Sequence, residues 1–104
     1  MNAYEFHPEA RLDLEEIWGF IGADNLNAAD SVLAEILDAV RAVALFPHQG
    51  FRRPNITSRA LRFKPVREYL IVYAPDAKPL RVVAIIHGRR SPRVLAALLR
   101  GREE

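Results

Sequence analysis

The chain has 104 residues, a formal net charge of +2 and a composition that is half hydrophobic. This length suits one domain, residues 1–104, with a core of its own. The absence of cysteine excludes disulfides and thiolate metal sites and is compatible with the reducing cytoplasm. The sequence has neither a run of about 18 apolar residues nor a basic-then-apolar leader, so we expect no membrane span and no signal peptide.

The charge is divided unequally between the two halves of the chain. Residues 1–50 hold two basic and nine acidic side chains, a net charge of −7, whereas residues 51–104 hold thirteen basic and four acidic ones, a net charge of +9. Most of the basic side chains are arginines, which bind phosphate and carboxylate groups bidentately. The division indicates either one basic functional face or attraction between the two halves across the fold.

Two amphipathic helices are predicted in the first half. After a short strand at residues 3–6, Pro8 begins a helix whose apolar residues follow helical spacing until the segment 22–25 ends it. Asn27 is the predicted N-cap of a second helix, which Pro47 stops. Because few residues join them, the two helices should form an antiparallel hairpin.

The second half predicts three strands and a last helix. Ser91 should cap the helix, at residues 93–100, and the two later strands are rich in β-branched and aromatic residues. These two strands are apolar on both faces, which indicates that the sheet needs a cover on each side. The three strands are residues 61–64, 69–74 and 81–87.

The predicted order is β-α-α-β-β-β-α, an α+β fold with a small antiparallel sheet. The helical hairpin should pack on one face of this sheet. The opposite face can be covered only by the short C-terminal helix, by the loop before the second strand or by another protein. The doubly apolar strands therefore suggest a binding partner.

Several short motifs, in a consistent order and spacing, carry a family resemblance. Over essentially all of its 104 residues the chain resembles the RelE/ParE superfamily of bacterial toxins from type II toxin–antitoxin systems. The motifs are Phe6-His7-Pro8-Glu9-Ala10 with Asp13-Leu14 and Ile17-Trp18, Ala28-Ala29, Phe46-Pro47 with Gly50 and Arg52, Tyr69-Leu70-Ile71-Val72-Tyr73, and Ile85-Ile86-His87-Gly88-Arg89-Arg90.

One position distinguishes the two branches of that superfamily. RelE-like members are ribosome-dependent endoribonucleases that cut mRNA, whereas ParE-like members poison DNA gyrase where a target is known. The nuclease branch has an arginine three residues before the tyrosine that matches Tyr73, and here that position is Leu70. An aliphatic side chain cannot stabilise the charge on a phosphate under attack. The resemblance therefore implies a ParE-like toxin that catalyses no reaction.

Two other functions remain open. A RelE-like nuclease is the main alternative, and a degenerate toxin that binds only its antitoxin is a third possibility. The nuclease would use His87, Arg67, Tyr69, Tyr73 and Arg89.

The resemblance also implies which partners to expect. A ParD-like antitoxin should form a hetero-oligomer with the chain, through a C-terminal segment that is disordered when free and folds on the toxin. DNA gyrase is the expected target, and promoter DNA should be bound mainly through the antitoxin. The resemblance places the toxin in the cytoplasm and implies no cofactor, metal, membrane or small-molecule substrate.

Two sets of residues are candidates for these contacts. The predicted target-binding set is the cluster between the last strand and the last helix: His87, Arg89, Arg90 and Arg93. The predicted antitoxin-binding set is apolar: Trp18, Phe20, Ile21, Leu33, Leu37, Tyr69, Ile71 and Tyr73.

Simpler structural roles compete with several of these assignments. His87 could simply be hydrogen-bonded to the backbone at the end of its strand. The arginines that follow it could be solvated surface charges, and Trp18 could pack in the core. The acidic residues of the first helix, Asp13, Glu15 and Glu16, are expected on its solvent face. The other histidines, His7 and His48, have no companions at metal-ligand spacing.

Overall fold

A computed structural model describes residues 3–102. The predicted α+β fold is confirmed, and the ends of the elements lie within two residues of the predicted ones. In chain order the elements are β1 (Tyr4–Phe6), α1 (Pro8–Gly22), α2 (Leu26–Leu45), β2 (Arg62–Val66), β3 (Tyr69–Ala74), β4 (Leu80–His87) and α3 (Pro92–Arg100). No helix among the described residues is long and apolar enough to cross a membrane.

The sheet is mixed, which corrects the prediction of an antiparallel one. Its strand order is β1-β4-β3-β2. The β2–β3 and β3–β4 pairs are antiparallel, but β1 lies parallel to β4, with Tyr4 opposite Leu80 and Phe6 opposite Val82. Parallel neighbours require a long crossover, and the helical hairpin is part of the connection that provides it. A strand of three residues carries no pattern from which its direction could be predicted.

Side-chain caps set where the first two helices begin. The Nδ1 atom of His7 accepts a hydrogen bond from the backbone N–H of Glu9 at 3.0 Å. The Oδ1 atom of Asn25 accepts one from the N–H of Ala28, also at 3.0 Å. The predicted cap at Asn27 is therefore wrong: Asn25 has the extended backbone of a cap, and Asn27 lies inside the helix.

The hairpin of α1 and α2 covers one face of the sheet, as predicted. The fully buried side chains of α2 face the odd-numbered residues of β3, and α1 adds Ala10 and several half-buried side chains. Each large aliphatic side chain buried in this way contributes about 1.5–3 kcal/mol. The centre of this core is Ile36, Val40, Val43, Ile71, Tyr73 and Val82.

The chain also covers the second face of the sheet. Leu95 and Leu99 of α3 are buried there, together with Ile56 and Leu61 from the segment before β2. They pack with Leu70, Val72 and Val83, among others. The short helix and the loop, two of the three covers that the sequence left open, are therefore sufficient, and this face does not call for a partner. Any docking surface has to be sought elsewhere on the molecule.

Candidate functional site

The last strand ends at His87, which is half-buried. Its Nδ1 atom accepts a hydrogen bond from the backbone N–H of Arg89 at 3.1 Å. Its ring lies edge-on to that of Tyr69, with 5.6 Å between the centroids. The backbone-bonded alternative is thus the observed arrangement. It leaves only Nε2 for a contact with another molecule.

Three arginines surround the start of α3. Arg89, Arg90 and Arg93 are exposed, and none forms an ion pair with a carboxylate of residues 3–102. Ser91 caps the helix by accepting a hydrogen bond from the N–H of Val94 at 3.2 Å. The N-terminus of a helix carries partial positive charge, so three cations there are slightly unfavourable for stability. The cluster suits an anionic surface on another molecule.

A cleft of about 320 Å³ lies beside this cluster. His87 and Arg90 line it, together with Glu16 and Phe20 of α1 and Leu98 of α3. Phe20 is 81% exposed, although it is one of the largest apolar side chains of the molecule. The structure thus brings Phe20, predicted to bind the antitoxin, next to residues that are predicted to bind the target.

A second and larger groove, of about 690 Å³, lies on the hairpin. Trp18 is 40% exposed there, and its Nε1–H donates to Asp30 Oδ1 at 2.9 Å. The hydrogen bond holds the indole in place on the surface, so the alternative of core packing for Trp18 is wrong. Ile21 and Leu37 are half-buried, and the groove is lined by Arg11, Leu14, Glu15, Trp18, Gly19 and Leu33.

Comparison with protein families identifies the kind of protein to which this geometry belongs. A family model described as the ParE toxin of the type II toxin–antitoxin system, parDE, matches residues 4–92. The chain belongs to the ParE toxin family. The match extends from β1 through both hairpin helices and all four strands to the first residue of α3. A ParE toxin implies an antitoxin as its partner. The search of curated proteins finds no match to the chain.

Three predicted antitoxin contacts of this ParE toxin are buried in its own core. Ile71 and Tyr73 are 0% exposed, and Tyr69 is 8% exposed. The prediction that they contact the antitoxin is corrected by this burial, because α1 and α2 cover the face of β3 on which all three lie. The hairpin residues of the predicted set keep exposed surface, and their contact with the antitoxin stays a prediction.

Tyr73 instead joins the core to the segment after α2. Its hydroxyl donates to the carbonyl of Pro47 at 2.7 Å and accepts from the N–H of Gly50 at 3.0 Å. Burial raises the pKa of Tyr73, and the Gly50 hydrogen bond opposes that rise. The hydroxyl is therefore a structural tie that already has two partners.

Three residues of the alternative nuclease are paired or buried in this ParE toxin, namely Arg67, Tyr69 and Tyr73, whereas His87 and Arg89 stay at the surface. Arg67 forms a two-point contact with Glu35, with 2.8 Å between Nε and Oε1. That contact lowers the pKa of Glu35 and raises the pKa of Arg67. Leu70 is 7% exposed and packs on the face covered by α3, whereas Tyr69 and Tyr73 lie on the hairpin face. Leu70 therefore lies on the opposite face of the sheet from these two tyrosines.

An important residue pair was not predicted from the sequence. Asp13 was expected on the solvent face of α1, but its Oδ2 atom accepts hydrogen bonds from Ile85 N at 2.9 Å and Arg102 Nη1 at 2.6 Å. The expectation is wrong, and spacing could have revealed it. Asp13 lies three residues after Ala10 and four before Ile17, on the stripe of α1 that faces the core.

The other two histidines of the ParE toxin have ordinary surroundings. His7 caps α1, and the Nε2 atom of His48 lies 3.6 Å from Asp76 Oδ1 in an exposed pair. Within residues 3–102 no three His, Cys, Asp or Glu side chains are placed to hold a metal ion.

Proposed function

We propose that this toxin inhibits growth by binding and poisoning DNA gyrase in the cytoplasm, without catalysing a reaction itself. A ParD-like antitoxin neutralises it by forming a hetero-oligomer. Residues 1–104 act as one toxin domain in this scheme. Membership of the ParE family is the starting point, and the local surroundings of two residues support the choice of a binding mechanism.

The observation that carries this choice is the burial of Leu70 and Tyr73. A nuclease needs charged or acid–base groups that reach the scissile phosphate. Leu70 packs under α3, and the hydroxyl of Tyr73 is already bonded to Pro47 and Gly50 in the interior. Neither side chain can reach RNA without local unfolding, which favours inhibition by binding over cleavage.

We assign the contact with the target to the cluster at the start of α3. Its four members are His87, Arg89, Arg90 and Arg93. The arginines have no carboxylate partner within residues 3–102, and the cleft beside them adds an exposed aromatic ring, Phe20. Arginine and aromatic side chains are the ones most often found where binding energy is concentrated. An acidic patch on gyrase would complement this surface.

The antitoxin is assigned to the groove of the hairpin. An amphipathic helix lays its apolar face into such a groove, and the exposed indole of Trp18 offers an anchor. Arg11 and Glu15 at the rim carry opposite charges, which would fix the direction of the bound segment. The complex then binds the promoter of its own operon mainly through the antitoxin, whose tail folds as it binds.

Induction of the toxin in a bacterial host tests this function. Transcript ends and gyrase-dependent DNA breaks are mapped in the same culture, before and after induction. We expect DNA breaks and a loss of supercoiling while mRNA stays intact. Transcripts cut within codons on translating ribosomes would contradict the gyrase mechanism and favour the nuclease. Unaffected growth would indicate a degenerate toxin. The Arg89→Ala/Arg90→Ala double variant is the matched control, and it should lose the DNA breaks but keep its fold.

A further inference from the structure

A second basic surface lies along β2, the edge strand of the sheet. Residues 39–67 contain seven arginines and lysines and no aspartate or glutamate. Arg41 is neutralised by Asp38, and Arg67 by Glu35. The remaining side chains include a group that we call the β2-edge surface: His48, Arg52, Arg53, Arg62 and Lys64.

The β2-edge surface is separate from the cluster at the start of α3. Arg62 stands opposite Tyr73 at one end of β3, whereas His87 stands opposite Tyr69 at the other end. Three residues lie between the two tyrosines, so their Cα atoms are about 13 Å apart along the strand. The toxin therefore presents two separate groups of cations, and Lys64 of the second group stands opposite Ile71 in the middle of β3.

Short contacts hold the cations of the β2-edge surface in place. Arg62 Nη1 donates to the carbonyl of Gly50 at 2.7 Å, and Lys64 Nζ donates to Gln49 Oε1 at 2.9 Å. These bonds join β2 to the segment that precedes it. The side chains are thus partly ordered before any ligand arrives, which lowers the entropy that binding would lose.

Arg53 is ordered by aromatic rings. Its guanidinium lies 5.9 Å from the ring centre of Phe51 and 6.0 Å from that of Phe63. The two rings are stacked, and reciprocal backbone hydrogen bonds of 3.0 and 2.8 Å join the two residues. The segment that carries Arg52 and Arg53 is therefore attached firmly to the edge of the sheet.

The cations of the β2-edge surface are not neutralised within the described chain. Arg52, Arg53, Arg62 and Lys64 form no ion pair with a carboxylate of residues 3–102, and only His48 has one nearby, at Asp76. A small recess of about 150 Å³ lies among His48, Arg52 and Arg62, and the carboxylate of Asp76 also lines it. It is smaller than the range of about 300–1,000 Å³ typical of organic ligands.

We infer that the β2-edge surface binds the phosphodiester backbone of a nucleic acid. Arginine forks match phosphate oxygens, and several cations spread along one edge of the sheet suit a polymer of phosphates better than a single anion. Exposed carboxylates on α1 and just after it, those of Glu15, Glu16 and Asp24, repel the same polymer and would orient the molecule. This inference depends on charge and geometry alone, and it stands whether or not gyrase is the target.

Fluorescence anisotropy with the purified full-length toxin tests the inference. The probes are a labelled DNA duplex of about 20 base pairs and single-stranded DNA and RNA of the same sequence, at about 50 to 200 mM salt. We expect binding whose log–log dependence on salt has a slope of about −3, as for three or four phosphate contacts. A preference for one probe identifies which nucleic acid supplies the backbone. No change in anisotropy with any probe at the lowest salt overturns the inference.

Two double variants with the same change of net charge test whether the nucleic acid binds at the β2-edge surface. Arg52→Glu/Lys64→Glu should weaken binding at least tenfold, whereas Lys78→Glu/Arg100→Glu, at two exposed cations outside both basic groups, should keep it within about threefold. Equal losses in the two variants would overturn the assignment, because net charge alone would then explain binding. Arg52→Ala changes one exposed side chain and should fold normally, and it should reduce the salt slope by about one. An unchanged slope in that variant would also contradict the assignment.

Discussion

Asp13 and Arg102 form a two-point ion pair that joins the chain just after the last helix to the first helix. The distances are 2.6 Å from Arg102 Nη1 to Asp13 Oδ2 and 3.0 Å from Nη2 to Oδ1. The side chain of Arg102 is only 9% exposed and that of Asp13 only 13%. Arg102 also donates to the carbonyl of Val83, and Asp13 accepts from the N–H of Ile85. The pair thus provides hydrogen-bond partners for backbone groups of β4 beyond Val82, where the pairing with β1 ends.

Removal of one partner of this pair should be strongly destabilising. Arg102→Leu leaves the Asp13 carboxylate buried without its cation, and we expect a loss of about 3–5 kcal/mol in the free energy of unfolding. Urea denaturation followed by circular dichroism measures it. The double variant Asp13→Leu/Arg102→Leu should recover part of the loss, because no charge is then left buried. Arg11→Leu, an exposed change on the same helix, is the control and should stay within about 0.5 kcal/mol.

Tyr73→Phe should lower stability by about 1–3 kcal/mol at neutral pH. The change leaves the Pro47 carbonyl and the Gly50 N–H without the hydroxyl that joins them. Tyr4→Phe, on β1, is the matched control. Equal stability of the Tyr73 variant and the wild type would contradict the role of this hydroxyl as a tie.

The same tyrosine predicts how stability changes at alkaline pH. Burial raises the pKa of Tyr73, so the folded protein holds the phenol proton more tightly than the unfolded chain. The contribution of this proton to the free energy of unfolding is complete below the ordinary tyrosine pKa of about 10. It is lost as pH rises through the raised pKa of Tyr73. The stability difference between wild type and Tyr73→Phe should therefore narrow above about pH 10. A difference that stays constant or widens would contradict this sign.

Much of the fold could be predicted because local patterns and tertiary packing agree. β3 occupies the predicted range, residues 69–74, and α3 begins after the predicted cap, Ser91. Helical spacing in α1 and α2 predicted the hairpin and the face that it buries. The α+β order followed from these spacings and caps, and the family followed from the short motifs.

The remainder depended on contacts between distant residues. Arg102 meets Asp13 across 89 positions, and no local pattern marks such a partner. The direction of β1 and the choice among the possible covers of the second face depend on how layers stack, so the sheet was predicted as antiparallel and its second cover was left open. Ile71 and Tyr73 lie on the face of β3 that the predicted hairpin covers, so their assignment to the antitoxin conflicted with that prediction.

Glycine substitutions should separate a crowded position from an open one. A Cβ atom at Gly50 would lie 2.6 Å from the Tyr73 hydroxyl oxygen and 2.9 Å from the Phe63 carbonyl oxygen. We expect Gly50→Ala to cost at least about 1–3 kcal/mol. At Gly19 nothing lies within 4 Å of the new atom, so Gly19→Ala should stabilise α1 by about 0.5–1 kcal/mol. Thermal unfolding measures both changes in stability. A Gly50→Ala variant at least as stable as Gly19→Ala would contradict the packing described here.

The groove on the hairpin should carry the affinity for the antitoxin. Trp18→Ala removes the exposed indole and should weaken binding of the cognate antitoxin by about 2 kcal/mol, or roughly thirtyfold. Phe46→Ala, an exposed aromatic change after the end of α2, is the control and should leave affinity within about threefold. Isothermal titration with purified antitoxin measures the difference. Equal losses of antitoxin affinity in the two variants would contradict the assignment of the antitoxin to this groove.

The most direct test of the binding mechanism is reconstitution with purified gyrase. The toxin is incubated with gyrase, ATP and relaxed plasmid, and separately with translating ribosomes and a defined mRNA. We predict inhibited supercoiling with trapped, cleaved plasmid, an intact mRNA, and loss of the gyrase effect in Arg89→Ala/Arg90→Ala. Normal supercoiling together with cut mRNA would contradict the account, because cleavage would then occur despite the burial of Leu70 and Tyr73.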